Sequence, residues 1–360
     1  MIPDWRQLSY DCMDTVVPQN LERETMSMNI APSQQPIERN VAMELVRVTE
    51  AAALAAARYL GRGDKNLVDE AAVTAMRHVL GHIRMDGIVI IGEGEKDEAP
   101  MLYVRERIGD GSTPQVDIAV DPIDGTTLVA RGLPGAIAVV ALSERGTMHC
   151  PGEFFYMNKI VTGPEARDCI DINATVAENL KNIAQAKKRR VSEVTVVVLD
   201  RPRHEQLLSE IRAAGARVKL ISDGDVAASI EAALPDREID ALMGIGGTPE
   251  GVLSAAAIRC IGGGIQCKAW PRDEAERKAA MDAGVDVDRV YRMEDLVDSD
   301  EVFFAATGVS SGEFLKGVRY FKGGAQTHSV AMRSRSGTVR WVDSWHNFGR
   351  LDKMSFFEPH

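Results

Sequence analysis

The sequence predicts an α/β protein in which an α+β half is followed by an alternating α/β half. Three observations carry this. Two amphipathic stretches, from Glu38 to Leu60 and from about Leu67 to His82, read as helices. Short β-branched runs then dominate as far as Val161. Beyond a basic stretch at residues 187–190, strand-like and helix-like segments alternate.

Each element has its own signal. Val41, Leu45, Val48, Ala52 and Ala55 recur at three- and four-residue steps, and Gly61 and Gly63 end that helix. Strands are expected over residues 87–91, 116–120, 136–142 and 154–161. In the second half a strand at 194–199 precedes a helix that starts near Pro202 and closes at Gly215. A strand at 218–221 precedes a helix over 226–234, and one at 241–245 precedes a helix over 249–260. That alternation predicts a parallel sheet with ligands at the carboxyl ends of its strands. A strand at 302–306 and a hairpin of 326–332 with 338–342, turning across Ser334 to Gly337, complete the reading. A chain of 360 residues suits two domains, since single cores stop growing near roughly 250–300 residues. The expected divisions are a loosely ordered extension over 1–37, an α+β domain over 38–188, an α/β domain over 189–346 and a tail over 347–360.

Composition excludes several function classes. The chain is 45% apolar and 26% charged, with a net charge of -11, which argues against a nucleic-acid partner. Were it to bind an anion, local positive charge would be needed, and divalent cations can supply it. Five cysteines, Cys12, Cys150, Cys169, Cys260 and Cys267, form no C-x-x-C pair, so reduced thiols are expected rather than a disulfide framework or zinc ribbon. No apolar run approaches the roughly 18 residues of a membrane helix, and the start has no basic-then-apolar leader pattern. The expectation is a cytoplasmic protein with no membrane partner.

The sharpest motif is Asp121-Pro122-Ile123-Asp124-Gly125-Thr126-Thr127, between an expected strand and an expected helix start. It lets Asp121 and Asp124 converge on one point. Two carboxylates aimed together repel unless a cation stands between them, and hard oxygen ligands suit Mg²⁺ or Mn²⁺. Gly125 allows close backbone approach, and the two threonines offer hydroxyls and N–H groups where anions bind well. A second acidic cluster follows the strand at 87–91. Within it Glu93, at the strand's mouth, reads as a metal ligand, whereas Glu95, Asp97 and Glu98 read as a solvated loop. Lys65 and Asp69, four apart, would share a helix face, either as part of a site or as a surface ion pair.

Strand ends in the α/β half add further groups. Arg201-Pro202-Arg203-His204 sets two cations beside a helix start, which suits a phosphate or makes a surface patch. Asp223-Gly224-Asp225 either accepts hydrogen bonds from sugar hydroxyls or caps a helix. The run from Gly244 through Gly246 and Gly247 to Glu250 puts an acid in a helix's first turn, where it could simply offset the helix dipole. This run is not a dinucleotide fingerprint, because Pro249 holds the third glycine's place. Gly312 and Gly317 have P-loop spacing, but Val318 replaces the required lysine.

The Asp-Pro-Ile-Asp-Gly-Thr run with an upstream Gly-Glu resembles the lithium-sensitive, metal-dependent phosphatase superfamily. The surrounding text narrows this. Gly61-Arg-Gly-Asp-Lys-Asn66, Ile91-Gly-Glu-Gly-Glu-Lys-Asp-Glu-Ala-Pro-Met-Leu-Tyr103, Leu199-Asp-Arg-Pro-Arg-His204, Ser222-Asp-Gly-Asp225 and Gly246-Gly-Thr-Pro-Glu-Gly251 together resemble bacterial class II fructose-1,6-bisphosphatases, the actinobacterial type above all through Ala42-Met-Glu-Leu-Val-Arg-Val-Thr-Glu50. The likeness runs from about Asn40 to His346. It implies a layered α/β/α/β/α sandwich, usually as homodimers or homotetramers, acting on a sugar bisphosphate in gluconeogenesis or a carbon-fixing cycle with Mg²⁺ or Mn²⁺.

The resemblance also implies roles. Asp69 and Glu93 would hold one metal, and Asp121, Asp124 and Glu250 another. Thr126 would orient or activate the attacking water, with Lys65 beside the centre. Asp124, Gly125, Thr126, Tyr156, Arg201, Pro202, Arg203, Asp223, Gly224, Asp225 and Gly247 would contact substrate. Three positions depart from the family pattern: Arg201 stands where some members have Lys, Asp124 where others have Glu, and Arg105 where glycine is usual, which bears on the backbone there. A dual enzyme that also takes sedoheptulose 1,7-bisphosphate is one alternative, and an inactive sugar-phosphate-binding regulator is another.

Overall fold

The computed structural model describes residues 37–351 apart from 38, 39, 94–101, 152, 153, 236, 283 and 285. The extension over 1–37, except for Ile37, lies outside the described residues. So do the solvated acids Glu95, Asp97 and Glu98, and the tail beyond 351.

The chain opens with helices α1 (Val41–Ala56) and α2 (Lys65–Leu80). Strands β1 (Asp86–Ile91), β2 (Arg107–Ile108) and β3 (Gln115–Asp124) follow. The short helix α3 (Thr126–Arg131) leads to β4 (Ile137–Glu144) and β5 (Tyr156–Thr162). Alternation then sets in with α4 (Val176–Ala186), β6 (Thr195–Leu199), α5 (Glu205–Ala213), β7 (Arg217–Ile221), α6 (Val226–Ala233), β8 (Ala241–Gly247) and α7 (Thr248–Ile261). Next come β9 (Gly264–Ala269), α8 (Glu274–Asp282), β10 (Val290–Arg292) and α9 (Met293–Leu296). The described chain ends with β11 (Phe303–Gly308), β12 (Arg319–Phe321), β13 (Gly324–Arg333), β14 (Thr338–Asn347) and α10 (Phe348–Leu351).

The strands form two sheets. The larger runs β12-β13-β11-β4-β3-β1-β2, with β14 paired along β13; the smaller runs β10-β9-β5-β8-β6-β7. Side-chain alternation builds the layers. Val120, Ala138, Val140 and Phe303 of the larger sheet bury one face against Leu45, Val48, Val68 and Met76 of α1 and α2. Their neighbours Ala119, Val139 and Phe304 bury the opposite face against Val252, Ala256 and Ile230 of α7 and α6, and Met157, Val161 and Leu242 of the smaller sheet join that same core. Ile160, Val196 and Val198 turn the other way, onto Leu180, Ile183, Leu208 and Ile211 of α4 and α5. The result is the expected α/β/α/β/α sandwich, with α6 and α7 as its central layer.

The smaller sheet differs from the parallel sheet the alternation predicts. β6 pairs in parallel with β7 and β8, but β5 lies between β8 and β9, antiparallel to both. Thus β8 and β9 do run the same way, as a β-α-β connection requires, yet they are not neighbours. Sequence alternation sets strand direction but not adjacency, and β5 arrives from the first half of the chain. The elements β9, α8 and β10 were not expected from the sequence, although α8 is built mostly of helix-favouring Ala, Glu, Arg and Lys. The hairpin is longer than expected, ten residues on each arm, around a short turn at Ser334–Ser336 and Gly337.

Arg105, the position where the related family carries glycine, adopts φ 74°, in the left-handed region. Its N–H donates to the Val89 carbonyl at 2.7 Å, so the turn is pinned to β1 although its residue has a Cβ. A Cβ in that conformation costs roughly 1–2 kcal/mol, whereas the added flexibility of glycine in the unfolded chain costs roughly 0.5–1 kcal/mol. Arg105→Gly is therefore expected to stabilise the protein by about 0.5–1 kcal/mol, by these opposing contributions, read as a higher denaturant midpoint. An unchanged or lower midpoint would contradict a strained Arg105.

Candidate functional site

The site is assembled where strands end. Ordinarily residues three apart on a strand point to opposite faces. β3 carries a bulge between Asp121, opposite Val139, and Asp124, opposite Ile137. The extra residue returns Asp124 to the face of Asp121, and Pro122, which has no N–H to give the ladder, sits in the bulge. The Asp121 carboxylate accepts from the Ile123 N–H at 3.0 Å. Asp124 is 4% exposed and accepts from the Val226 N–H at the start of α6 at 3.1 Å. Gly125 then takes φ 94° and starts α3.

Thr126, the first residue of α3, donates its hydroxyl to Asp69 Oδ1 at 2.8 Å. This contact spans 57 positions and ties α3 to α2. α2 begins at Lys65, with the Asp64 carboxylate accepting from the Leu67 N–H, so Lys65 lies one turn before Asp69. Lys65 is exposed and forms no ion pair with Asp69 among the described residues. Burial raises the Asp69 carboxyl, against the Thr126 bond and the Lys65 charge, which lower it.

Glu93, just past β1, is raised by burial and by the charges of Asp69 and Glu250. Asp121 is held well above the usual carboxylate range by burial, then by Asp124, Glu250 and Glu93. Asp124 is held there by burial, then by Asp225 and Glu250. Glu250, in the first turn of α7, is raised by burial, with Lys159 pulling it down. Carboxyls from α2, β1, β3, α6 and α7 thus face one another in a partly dry space. Bringing like charges together in this way calls for cations, and an all-carboxylate donor set fits a hard divalent ion such as Mg²⁺ or Mn²⁺. Among the described residues no three such groups stand close enough to grip one ion as they are.

Cations also line the site. Arg201 and Arg203 follow the end of β6. Arg201 donates to Asp223 Oδ1 at 3.0 Å and to the Ser222 carbonyl. Arg203 stacks 4.8 Å over the Tyr156 ring and donates to the Ile245 carbonyl at 2.9 Å, while its Nε is buried without a partner. Pro202 opens the short turn between the two arginines and is exposed. His204 donates from Nδ1 to the Leu199 carbonyl and accepts at Nε2 from the Ile245 N–H, both at 2.7 Å. Burial lowers its pKa, which suits this neutral staple between the carboxyl ends of β6 and β8. The glycine run explains itself here. A Cβ at Gly247 would stand 1.9 Å from Glu250 Oε2, and one at Gly246 would stand 2.1 Å from Asp225 Oδ2.

Glu93, Asp121, Tyr156, Arg201, Arg203, Asp223, Gly224, Asp225, Gly247 and Glu250 all line one cavity of about 670 Å³. Its volume is that of a small-molecule site. Pro202, Asp124, Thr126, Asp69, Gly125 and Lys65 stand outside its lining, with Asp124 against Gly224 and Asp69 bonded to Thr126. Phe155, Cys150, Arg272 and Glu276 also line it and were not singled out in the sequence; neither was Lys159 beneath it, although it alternates with Met157 and Val161 on one strand face. A larger cavity of about 890 Å³ lies past the end of α7. Two of its arginines are already engaged with its acids, Arg259 with Asp300 and Arg335 with Glu301, and it shares no residue with the carboxylate cluster.

Comparison with known proteins places the chain in a family. Residues 39–346 match the family described as bacterial fructose-1,6-bisphosphatase, glpX-encoded. A protein of Trichodesmium erythraeum (strain IMS101) named D-fructose 1,6-bisphosphatase class 2/sedoheptulose 1,7-bisphosphatase is 46% identical over 339 residues, covering 87% of this chain and 98% of the relative. One of the same name from Synechococcus elongatus is 43% identical over 344 residues, covering 89% of this chain and 99% of the relative. No helix among the described residues is long and apolar enough to cross a membrane.

Proposed function

Since the chain belongs to the glpX-encoded bacterial fructose-1,6-bisphosphatase family, we propose that it hydrolyses D-fructose 1,6-bisphosphate at the 1-phosphate, giving fructose 6-phosphate and phosphate, as a step of gluconeogenesis. The observation that carries the choice of ester is the lining of the cavity. The carboxylates of Glu93, Asp121 and Glu250 line it together with Arg203, whose buried Nε lacks a partner, so the site offers a cation-binding group for one phosphate and a guanidinium for a second. A bisphosphate held at both ends would have only the ester at the carboxylate end cut. The far phosphate then lends binding energy that positions the scissile one.

Asp69 and Glu93 would hold one divalent cation and Asp121, Asp124 and Glu250 another, Mg²⁺ or Mn²⁺, supplying charge that offsets the carboxylates and phosphate and acidifies water. Everything else is done by the chain. Thr126 gives its hydroxyl proton to Asp69, which leaves its lone pairs free to receive a hydrogen bond from the attacking water. As water adds to phosphorus, its proton passes to Thr126 Oγ1 while the threonine proton moves to Asp69. Lys65 tempers the basicity of Asp69 through its charge. Asp223 and Asp225 accept from sugar hydroxyls, and Tyr156 backs the Arg203 guanidinium. No Ser, Cys or His of these motifs is set to attack phosphorus, so water displaces the ester oxygen in line, with inversion. An inactive regulator would have no use for the Thr126–Asp69 pair.

The names of the relatives favour a second reading, in which the seven-carbon sedoheptulose 1,7-bisphosphate is also cut. Both are tested by phosphate release from a series of sugar phosphates. Turnover of fructose 1,6-bisphosphate should vanish on exhaustive chelation and return with Mg²⁺ or Mn²⁺; full activity after chelation would refute the reading. Loss of charge-assisted hydrogen bonds worth roughly 1.5–3 kcal/mol at Arg203→Ala should lower kcat/KM for the bisphosphate by about ten- to a hundredfold and leave fructose 1-phosphate, already poor, nearly unchanged. An equal loss on every substrate would refute the two-ended site.

Thr126→Ser keeps the hydroxyl and is expected to retain substantial turnover. Thr126→Ala should lose about a hundredfold or more, in the range of a lost proton-transfer group, with the fold intact. Wild-type turnover by the alanine variant would remove Thr126 from the reaction.

A further inference from the structure

Lys159 lies on β5 between Met157 and Val161, on the strand face that packs into the core between the sheets. It is 1% exposed and heads the largest fully buried side chains of the protein. Its partners in the ladder are Gly244 on one side and Cys267 on the other. The side chain runs beneath the floor of the cavity, and its Nζ meets Asp225 Oδ2 at 2.5 Å. Asp225, 4% exposed, is itself a cavity-lining residue. A lysine is not buried without a specific partner.

The pair is built with care on both sides. A Cβ on Gly246 would lie 2.1 Å from Asp225 Oδ2 and 2.6 Å from Lys159 Nζ, so only glycine at that point of β8 leaves room for the contact. Lys159 Nζ stands at ion-pair distance from one oxygen of Asp225 without completing a hydrogen bond to it, and the other oxygen, Oδ1, is likewise buried with no hydrogen-bond partner. A buried acceptor left open on a cavity wall is waiting for a donor, and the donors a sugar offers are hydroxyls.

Lys159 also answers the charges around it. Asp225 acts electrostatically on Asp124 and Glu250, and Lys159 opposes it on both. Without a cation of its own, Asp225 would be one more carboxylate beside a metal-binding cluster, free to turn towards the metal.

We propose that Lys159 is a positioning residue: it clamps one oxygen of Asp225, so that the other faces the sugar and the carboxylate stays out of the metal set. This rests on the bisphosphatase reading for the identity of the ligand, but the metal consequence does not.

The test compares wild type with Lys159→Met and with Lys159→Met/Asp225→Asn, in which no buried charge is left unpaired. For Lys159→Met the KM for fructose 1,6-bisphosphate should rise at least tenfold with kcat changing less than threefold. Calorimetric titration of the substrate-free variant with Mg²⁺ should show tighter binding or an additional ion. In the double variant Mg²⁺ binding should return to the wild-type isotherm, because an amide does not compete as a carboxylate does, while KM stays raised. A purely structural lysine would lower only the melting temperature. Unchanged KM and unchanged Mg²⁺ binding in Lys159→Met, or in the case of its misfolding a wild-type KM in the double variant, would overturn the proposal. The metal titration needs no turnover, so it judges Lys159 even if wild type releases no phosphate from the bisphosphate, the result that would instead overturn the functional reading.

Discussion

Mutual repulsion among buried carboxylates is the constraint around which the structure is organised. Asp69 comes from α2, Glu93 from just past β1, Asp121 and Asp124 from β3, Asp225 from the start of α6 and Glu250 from α7, and burial with neighbouring charge lifts the proton affinity of Asp69, Glu93, Asp121, Asp124 and Glu250. Such a cluster is unfavourable by itself. It persists because each acid is fixed by an element whose stability is gained elsewhere, in the apolar layers that clamp α2, β3 and α7. What the fold spends in keeping these charges together becomes affinity for cations and, through them, for phosphate.

The scaffold details follow from that demand. The bulge in β3 exists where two acids must share a face. The glycines of β8 occur where carboxylates and Lys159 press against backbone, which leaves no space for side chains. Because β5 intrudes between β8 and β9, its amino end lies level with the carboxyl end of β8, Tyr156 opposite Gly247. That intrusion delivers Tyr156 to Arg203 and Lys159 to Asp225, and so joins the chain's first half to the strand-end loops of its second.

Much of this was legible in the sequence, for physical reasons. The Asp121–Thr127 run was readable because its polar groups are local: one bulge and one helix start bring them together. The strand-end loops holding Arg201, Asp223 and Glu250 were readable because β-α alternation sends them all to one edge. Arg105 could be flagged because a position that prefers glycine implies a left-handed backbone, which is what Arg105 adopts. The Thr126–Asp69 bond was not readable, since it depends on how α2 docks beside α3. The neighbours of β5 were not readable either, because strand order is decided by packing between distant segments. Lys159 lay in view as a charge in a core-facing position, but its meaning needed Asp225, brought to it from the far end of β7.

If cations replace protons within this cluster, the exchange is directly measurable. Mg²⁺ is titrated calorimetrically into the metal-free protein in two buffers of different ionisation enthalpy, over a series of pH values. Burial and neighbouring charge raise these carboxyls, and a bound cation must displace whatever protons they hold. The heat should therefore depend on the buffer at the acid end of the series, and that dependence should shrink as the pH rises. Mg²⁺ binding whose heat is independent of buffer at every pH, or no binding at all, would contradict exchange of protons for cations at the cluster.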